Sequence, residues 1–203
     1  MMATAAAAPV IVFTFNDIDV GARLVEALLA HVSQAAPAHP APIAYDALLA
    51  AARAMYPRDA ALGRAVAVGI GPKLQIVARF CREHGYPNLA ALAVHPVTGQ
   101  PGPHADALDP AALAATDWSA APVQLAADVT AWRSAVPARL KPRAERPADV
   151  AWYAWFRSHR DECKHVTAEG KHDIINLVMA GLDPETALRR VLAAQADYGT
   201  GKI

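Results

Sequence analysis

The chain has 203 residues, 19 basic against 19 acidic, and an apolar content rich in alanine and poor in aromatic rings. That length supports one good core or two small ones of about 100 residues each, and the neutral balance excludes a uniformly basic, histone-like polypeptide. Two cysteines make no disulfide framework, no apolar run approaches the roughly 20 residues that span a bilayer, and residues 1–9 lack the basic start of a secretory signal, so a cytoplasmic protein is expected.

Alanine keeps its side-chain entropy in a helix and so favours that state, while sixteen prolines cut the helices short. The expected class is mainly α with a few short strands. Residues 1–9 read as a disordered lead and 10–15, β-branched and aromatic, as a strand. Asn16 or Asp17 caps an amphipathic helix to about Val32, with Ile18, Val20, Leu24, Leu28 and Leu29 on or near one face. Residues 33–42 are proline-rich and read as a linker or loop. Tyr45, Leu48, Leu49, Ala52 and Met55 fall at helical spacing, and Pro57 closes that helix. A second helix is expected over 60–70. A third opens at Gly71-Pro72, buries Leu74, Ile76 or Val77, Phe80 and Cys81, and ends at Gly85. Residues 89–95 read as a strand and 96–102 as a turn. Residues 103–121 form a mobile connector, 123–136 a helix, 137–147 an irregular basic stretch and 148–196 a helical region. The division expected is an N-terminal α+β unit over 1–102, with a winged-helix-like segment at 43–102, then the connector, then a C-terminal helical region over 122–203 that includes a helical hairpin.

Charge is uneven along the chain. Residues 1–50 hold Arg23 against Asp17, Asp19, Glu26 and Asp46, whereas residues 51–103 hold Arg53, Arg58, Arg64, Lys73, Arg79 and Arg82 against Asp59 and Glu83. A second cluster, Arg133, Arg139, Lys141, Arg143 and Arg146, is opposed only by Glu145. Such patches attract phosphate even in a neutral protein, because screening confines the field to about 8–10 Å at physiological salt.

Tyr45 on one helix, Arg64-Ala65-Val66 on the next, then a late strand and a glycine turn resemble the DNA-binding domain of alkyltransferase-like proteins. That resemblance implies a winged helix with Tyr45 and Arg64 in the places of the family's helix tyrosine and its base-stack-inserting arginine. Val94-His95-Pro96-Val97 stands where the family carries a reactive Pro-Cys-His-Arg segment, so alkyl transfer is not implied. Leu74, Ile76, Phe80 and Cys81, then 85–89 (Gly-Tyr-Pro-Asn-Leu) and 98–102 (Thr-Gly-Gln-Pro-Gly), are also similar to a segment of uncharacterised prophage and mobile-element proteins. This implies a bacterial phage or defence context and no activity.

Three further constellations carry chemistry. Residues 172–192 read as helix, tight turn, helix, with Asp183 as cap and Pro184 at the first helical position. As a helix-turn-helix, this pair places Thr186, Arg189 and Arg190 on a recognition helix, although bulky Leu177 sits where close helix contact favours a small residue. His159, Cys163 and His165, with His172 and Asp173 nearby, offer imidazole and thiolate to zinc, but without the paired spacing of structural sites. Trp152, Tyr153, Trp155 and Phe156, followed by Arg157, His159 and Arg160, either stack bases of a single strand or form a core stripe at helical spacing. Trp152 and Trp155 are the partner-binding candidates.

No glycine-rich phosphate loop or nucleophile elbow is present. His84, His95 and His104, with Asp106, read as surface groups. The expected function is therefore a non-enzymatic, regulatory DNA-binding protein of mobile-element type. Arg64, Lys73, Arg79 and Arg82 contact phosphates, and Arg139, Lys141 and Arg143 serve as a tether. No catalytic residue, metal or cofactor is assigned. The alternative is a protein-interaction factor, a regulator or inhibitor, acting through the Trp-rich helices. A metal-dependent hydrolase built on His159, Cys163, His165 and His172 comes third.

Overall fold

The computed structural model describes residues 12–34, 40–103, 105 and 109–199. The expected lead, half of the linker (35–39), His104 and Asp106 lie outside them. Among the described residues nine α-helices accompany one two-stranded sheet, so the fold is mainly α with short strands.

Helix α1 (Phe15–Gln34) starts earlier than expected. Thr14, not Asn16 or Asp17, is its cap. The Thr14 amide and hydroxyl donate to Asp17 Oδ2 at 3.0 and 2.9 Å, and the Thr14 hydroxyl oxygen accepts from the Asp17 amide at 3.2 Å, a reciprocal capping box. The strand expected over 10–15 falls partly outside the described residues. Its remainder at 12–14 is irregular, and Phe15 belongs to α1.

Helix α1 is the axis of the first core. Ile18, Leu24, Val25 and Leu28 are almost fully buried, and α4 packs so closely that a Cβ on Gly21 would lie 2.6 Å from Ile76 Cβ. Strand β1 (Ile43–Ala44) leads into α2 (Tyr45–Met55). The helix expected over 60–70 is shorter: α3 (Ala60–Arg64), capped by Asp59, ends when Ala65 turns extended, and 67–69 form a single 3₁₀ turn. The Arg53 guanidinium donates to the Leu62 and Ala65 carbonyls and satisfies acceptors that the break exposes.

Helix α4 (Gly71–Glu83) opens at Pro72, as expected, and closes at Gly85, whose φ of +69° lets the Tyr86 amide reach back to the Cys81 carbonyl at 2.8 Å. Residues 89–95 are not a continuous strand. The Asn88 side chain accepts from the Ala90 amide and starts a 3₁₀ turn over 89–92, leaving β2 (Ala93–Val94) to pair in parallel with β1. The turn that follows is real: Val94 bridges Pro101, and Gly99 takes φ +65°.

The stretch expected to be a mobile connector contains α5 (Pro110–Ala115), capped by Asp109, with Leu113 1 % exposed in the first core. Helix α6 (Ala121–Ser134) also joins that core through Leu125 and Trp132. The second core forms where Leu140 meets α7 (Glu145–Phe156), α8 (Ala168–Met179) and α9 (Pro184–Gly199). The α8–α9 hairpin closes as expected at 180–183. Gly181 takes φ +101°, the Leu182 amide reaches the Leu177 carbonyl, and Asp183 caps α9 through the Thr186 amide.

The two cores meet along a buried polar seam. Asp17 (fully buried) faces Arg190 at 2.7 Å and Lys73 at 3.4 Å, and Lys73 lies 4.0 Å from Asp173 of α8. The Asn176 amide donates to the Arg64 carbonyl at 2.9 Å, and a Cβ on Gly69 would collide with the Asp173 carboxylate. No described helix is long and apolar enough to cross a membrane.

Candidate nucleic-acid interface

The cations that the sequence groups together separate into two populations. In the central unit most are used by the fold. Lys73 is 3 % exposed and holds Asp17 and Asp173, so it cannot meet a phosphate on the surface. The reason is helical spacing: Lys73 shares its face with Val77 and Phe80, which the first core buries. Arg64 is half-buried at the seam, its Nε shielded from solvent and without a hydrogen-bond partner among the described residues. Arg79 pairs with Glu83 at 2.7 Å and lies 4.9 Å above the Trp132 ring. Tyr45 is 6 % exposed, with its hydroxyl bonded to the Gly102 backbone and its ring against His95. Of the central set expected on phosphates, Arg82 alone is exposed and free of an ion pair among the described residues. A winged-helix presentation of Tyr45 and Arg64 to a duplex is therefore not assembled by these side chains.

The α8–α9 hairpin loses one of its expected readers in the same way. Arg190 turns inward to Asp17, and Arg189, though exposed, reaches Glu185 at 3.8 Å along its own helix. Asp17 is the electrostatic centre of the seam. Burial alone would raise its carboxyl, but the charges of Arg190 and Lys73, with hydrogen bonds from Arg190 and Thr14, bring it down to about 2. The acid stays ionised and both cations stay fixed to it.

The second population lies between α6 and α7 and in the first turn of α7. Arg139, Lys141, Arg143 and Arg146 are all exposed, and none makes an ion pair among the described residues. Prolines 137 and 142 keep residues 137–143 from coiling into a helix, and Pro147 is tolerated in the first turn of α7, which also holds Arg146. It is nonetheless held in place. Leu140 is buried in the second core, the Arg143 amide donates to the Met179 carbonyl at 2.7 Å, and the Lys141 backbone passes so close to Gly181 that a Cβ there would lie 2.7 Å from the Lys141 nitrogen. Backbone anchoring with free side chains is the arrangement that positions cations for phosphates without spending them on internal acids.

The aromatic cluster is mostly core. Trp152 is 4 % exposed and stacks on Trp155 at 5.5 Å, and the half-buried Trp155 in turn lies 3.9 Å from the His159 ring. Neither indole stands out as a free partner-binding knob. Beside them, α7 and residues 163–171 enclose a cleft of about 480 Å³, lined by Asp149, Trp152, Tyr153, Phe156, Cys163 and Lys171 among others. Sequence reasoning missed that Asp149 and Lys171 line one cleft, which depends on how two helices meet.

The metal reading has no geometric support among the described residues, where no three His, Cys, Asp or Glu side chains gather closely enough to hold an ion. His159 Nδ1 is engaged by the Trp155 carbonyl at 2.8 Å, and Asp173 belongs to the seam. Burial pushes the Cys81 thiol up to about 11, and burial with neighbouring Glu162 raises that of Cys163, so neither is an activated thiolate. His84 and His95 are not the surface groups expected. His84 binds Asp128 at 2.7 Å, tying α4 to α6, while His95 is 8 % exposed, accepts the Val97 and Thr98 amides and packs 4.3 Å from Tyr198.

No family model, curated protein or solved structure matches this chain.

Proposed function

We propose that this chain is a non-enzymatic nucleic-acid-binding protein, and that its affinity resides in the basic segment 139–146 and not in the central unit. The observation that carries this reading is the set Arg139, Lys141, Arg143 and Arg146: four exposed cations without acidic partners among the described residues, on a backbone fixed to the α8–α9 turn. Contacts of this kind give affinity without base information, so the primary binding is sequence-tolerant and steeply salt-dependent. A regulatory role in a phage or mobile-element setting belongs to the same proposal, supported by the likeness of residues 74–102 noted above.

The test is fluorescence anisotropy with a labelled random duplex and its single strand across a salt series. Four phosphate contacts give a slope of about −3.6 in log K against log salt on duplex, a loss of several hundred-fold between about 50 and about 300 mM. Arg139→Ala with Lys141→Ala and Arg143→Ala removes about three-quarters of that slope. Salt-insensitive binding, no binding, or a triple variant that behaves as wild type would overturn the proposal.

A further inference from the structure

We infer that the α7–α8 cleft takes one unstacked base of a single strand whose backbone runs along segment 139–146. This inference rests on the function proposed above and names the ligand form that the site selects. The basic segment feeds directly into α7, whose first turn holds Arg146 and whose next turns carry Asp149, Trp152, Tyr153 and Phe156 into the cleft wall. A volume of about 480 Å³ falls in the range of small-ligand pockets, about 300–1,000 Å³, which suits a nucleoside and not a duplex or a helix. Tyr153 is 61 % exposed at the edge of this cleft and Trp152 is buried in its wall. An exposed tyrosine ring beside a buried indole offers π-surface that any base can use.

Charge selects a nucleotide over a plain apolar group. Arg146 lies one helical turn before Asp149, Arg157 one turn after Tyr153, and Lys171 lines the opposite wall. All three are exposed and make no ion pair among the described residues, so phosphates on either side of an inserted base meet cations. Asp149 is the one carboxylate in the lining among the described residues. It accepts a hydrogen bond from an exocyclic amino group, which cytosine, adenine and guanine have. Thymine and uracil set a carbonyl oxygen at that position and retain only the ring N3–H as a donor. Binding in the cleft therefore favours single strands over duplex and amino-bearing bases over thymine or uracil.

The experiment uses the full chain with labelled oligodeoxycytidine, oligothymidine and a duplex, read by anisotropy at moderate salt. Oligodeoxycytidine should bind about 3- to 10-fold more tightly than oligothymidine, and Asp149→Ala should level the two. Tyr153→Ala should weaken oligodeoxycytidine by about 5- to 100-fold while leaving duplex affinity unchanged. Lys171→Glu, at an exposed position, should weaken the single strand in the same sense and guards against a folding defect in the tyrosine variant. If both variants bind oligodeoxycytidine as wild type while the triple variant in 139–143 loses all binding, the inference falls and the phosphate reading stands. The cleft would then be open to a peptide side chain instead. If wild type binds no oligonucleotide, both readings fall together.

Discussion

Replacing Asp17 with asparagine keeps the side chain's shape and removes one charge from the seam. The loss can be bounded from the structure in two ways. Its carboxyl is held at about 2 against an ordinary 3.8, and at about 1.4 kcal/mol per pH unit this amounts to about 2 kcal/mol in favour of the ionised form. Breaking a buried pair typically costs about 3–5 kcal/mol, since it strands the partner charges, here Arg190 and Lys73. Asp17→Asn should thus destabilise the fold by about 2–5 kcal/mol, a large part of the 5–15 kcal/mol typical of a domain. The folded-state carboxyl is the more acidic one, so its stabilisation is complete above the unfolded value and fades as pH falls from about 4 through about 2. Urea unfolding followed by far-UV circular dichroism at neutral pH and across that acid range gives both quantities. Other acids titrate there too, so the diagnostic is the difference between the two proteins: the variant's deficit should shrink as pH drops. A deficit below about 1 kcal/mol at neutral pH, or one that stays constant through the acid range, would refute the argument that the seam is a dry, tightly coupled charge cluster.

Leu113→Ala should cost about 2–5 kcal/mol by urea unfolding, because the residue is 1 % exposed in the first core; a mobile connector would register almost nothing. Gly181→Ala places a methyl against the Lys141 backbone at a φ of +101°. It should lower the melting temperature and weaken nucleic-acid binding together, whereas a loss of stability alone would separate the turn from the basic segment. Gly21→Ala should destabilise despite alanine's better helix propensity, worth about 1 kcal/mol, since Ile76 Cβ is a branch point that cannot rotate away; an unchanged urea midpoint would count against so close an α1–α4 approach.

Much of the fold was legible because its signals are local. Pro72 at the start of α4, Gly85 at its end, and Asp183 before Pro184 each act within one helical turn, and each element boundary fell where the residue's own backbone preference put it. The errors arose where a local signal was overruled or misread. Residues 89–95 carry strand-like composition, but the Asn88 side chain captures the Ala90 amide and the chain coils before it can pair. Residues 103–121 look like linker by composition, yet the Asp109-capped helix sets Leu113 into the first core. The Thr14-to-Asp17 spacing is a capping box legible in the sequence itself, and it places the cap two to three residues before the expected Asn16 or Asp17.

The candidate interface was less legible, and the reason lies in how charge is counted. A tally of cations along a chain cannot tell a lysine on a solvated face from one on a core stripe. Lys73 was distinguishable, since it precedes Val77 and Phe80 by one and two turns and so had to find a buried acid. Arg190 was distinguishable on the same ground, lying one turn after the buried Ala187 on the inner face of α9. Subtracting these leaves the 139–146 segment as the larger free cluster, of which Arg139, Lys141 and Arg143 lie outside any helix and hence outside intrahelical ion pairs. The same seam that removes Lys73 and Arg190 from the surface fixes α8 and α9 against the first core, and the turn between those helices anchors the Arg143 amide. On the proposed function, the internal charges act on binding indirectly: they fix the hairpin against which the segment of free cations is anchored.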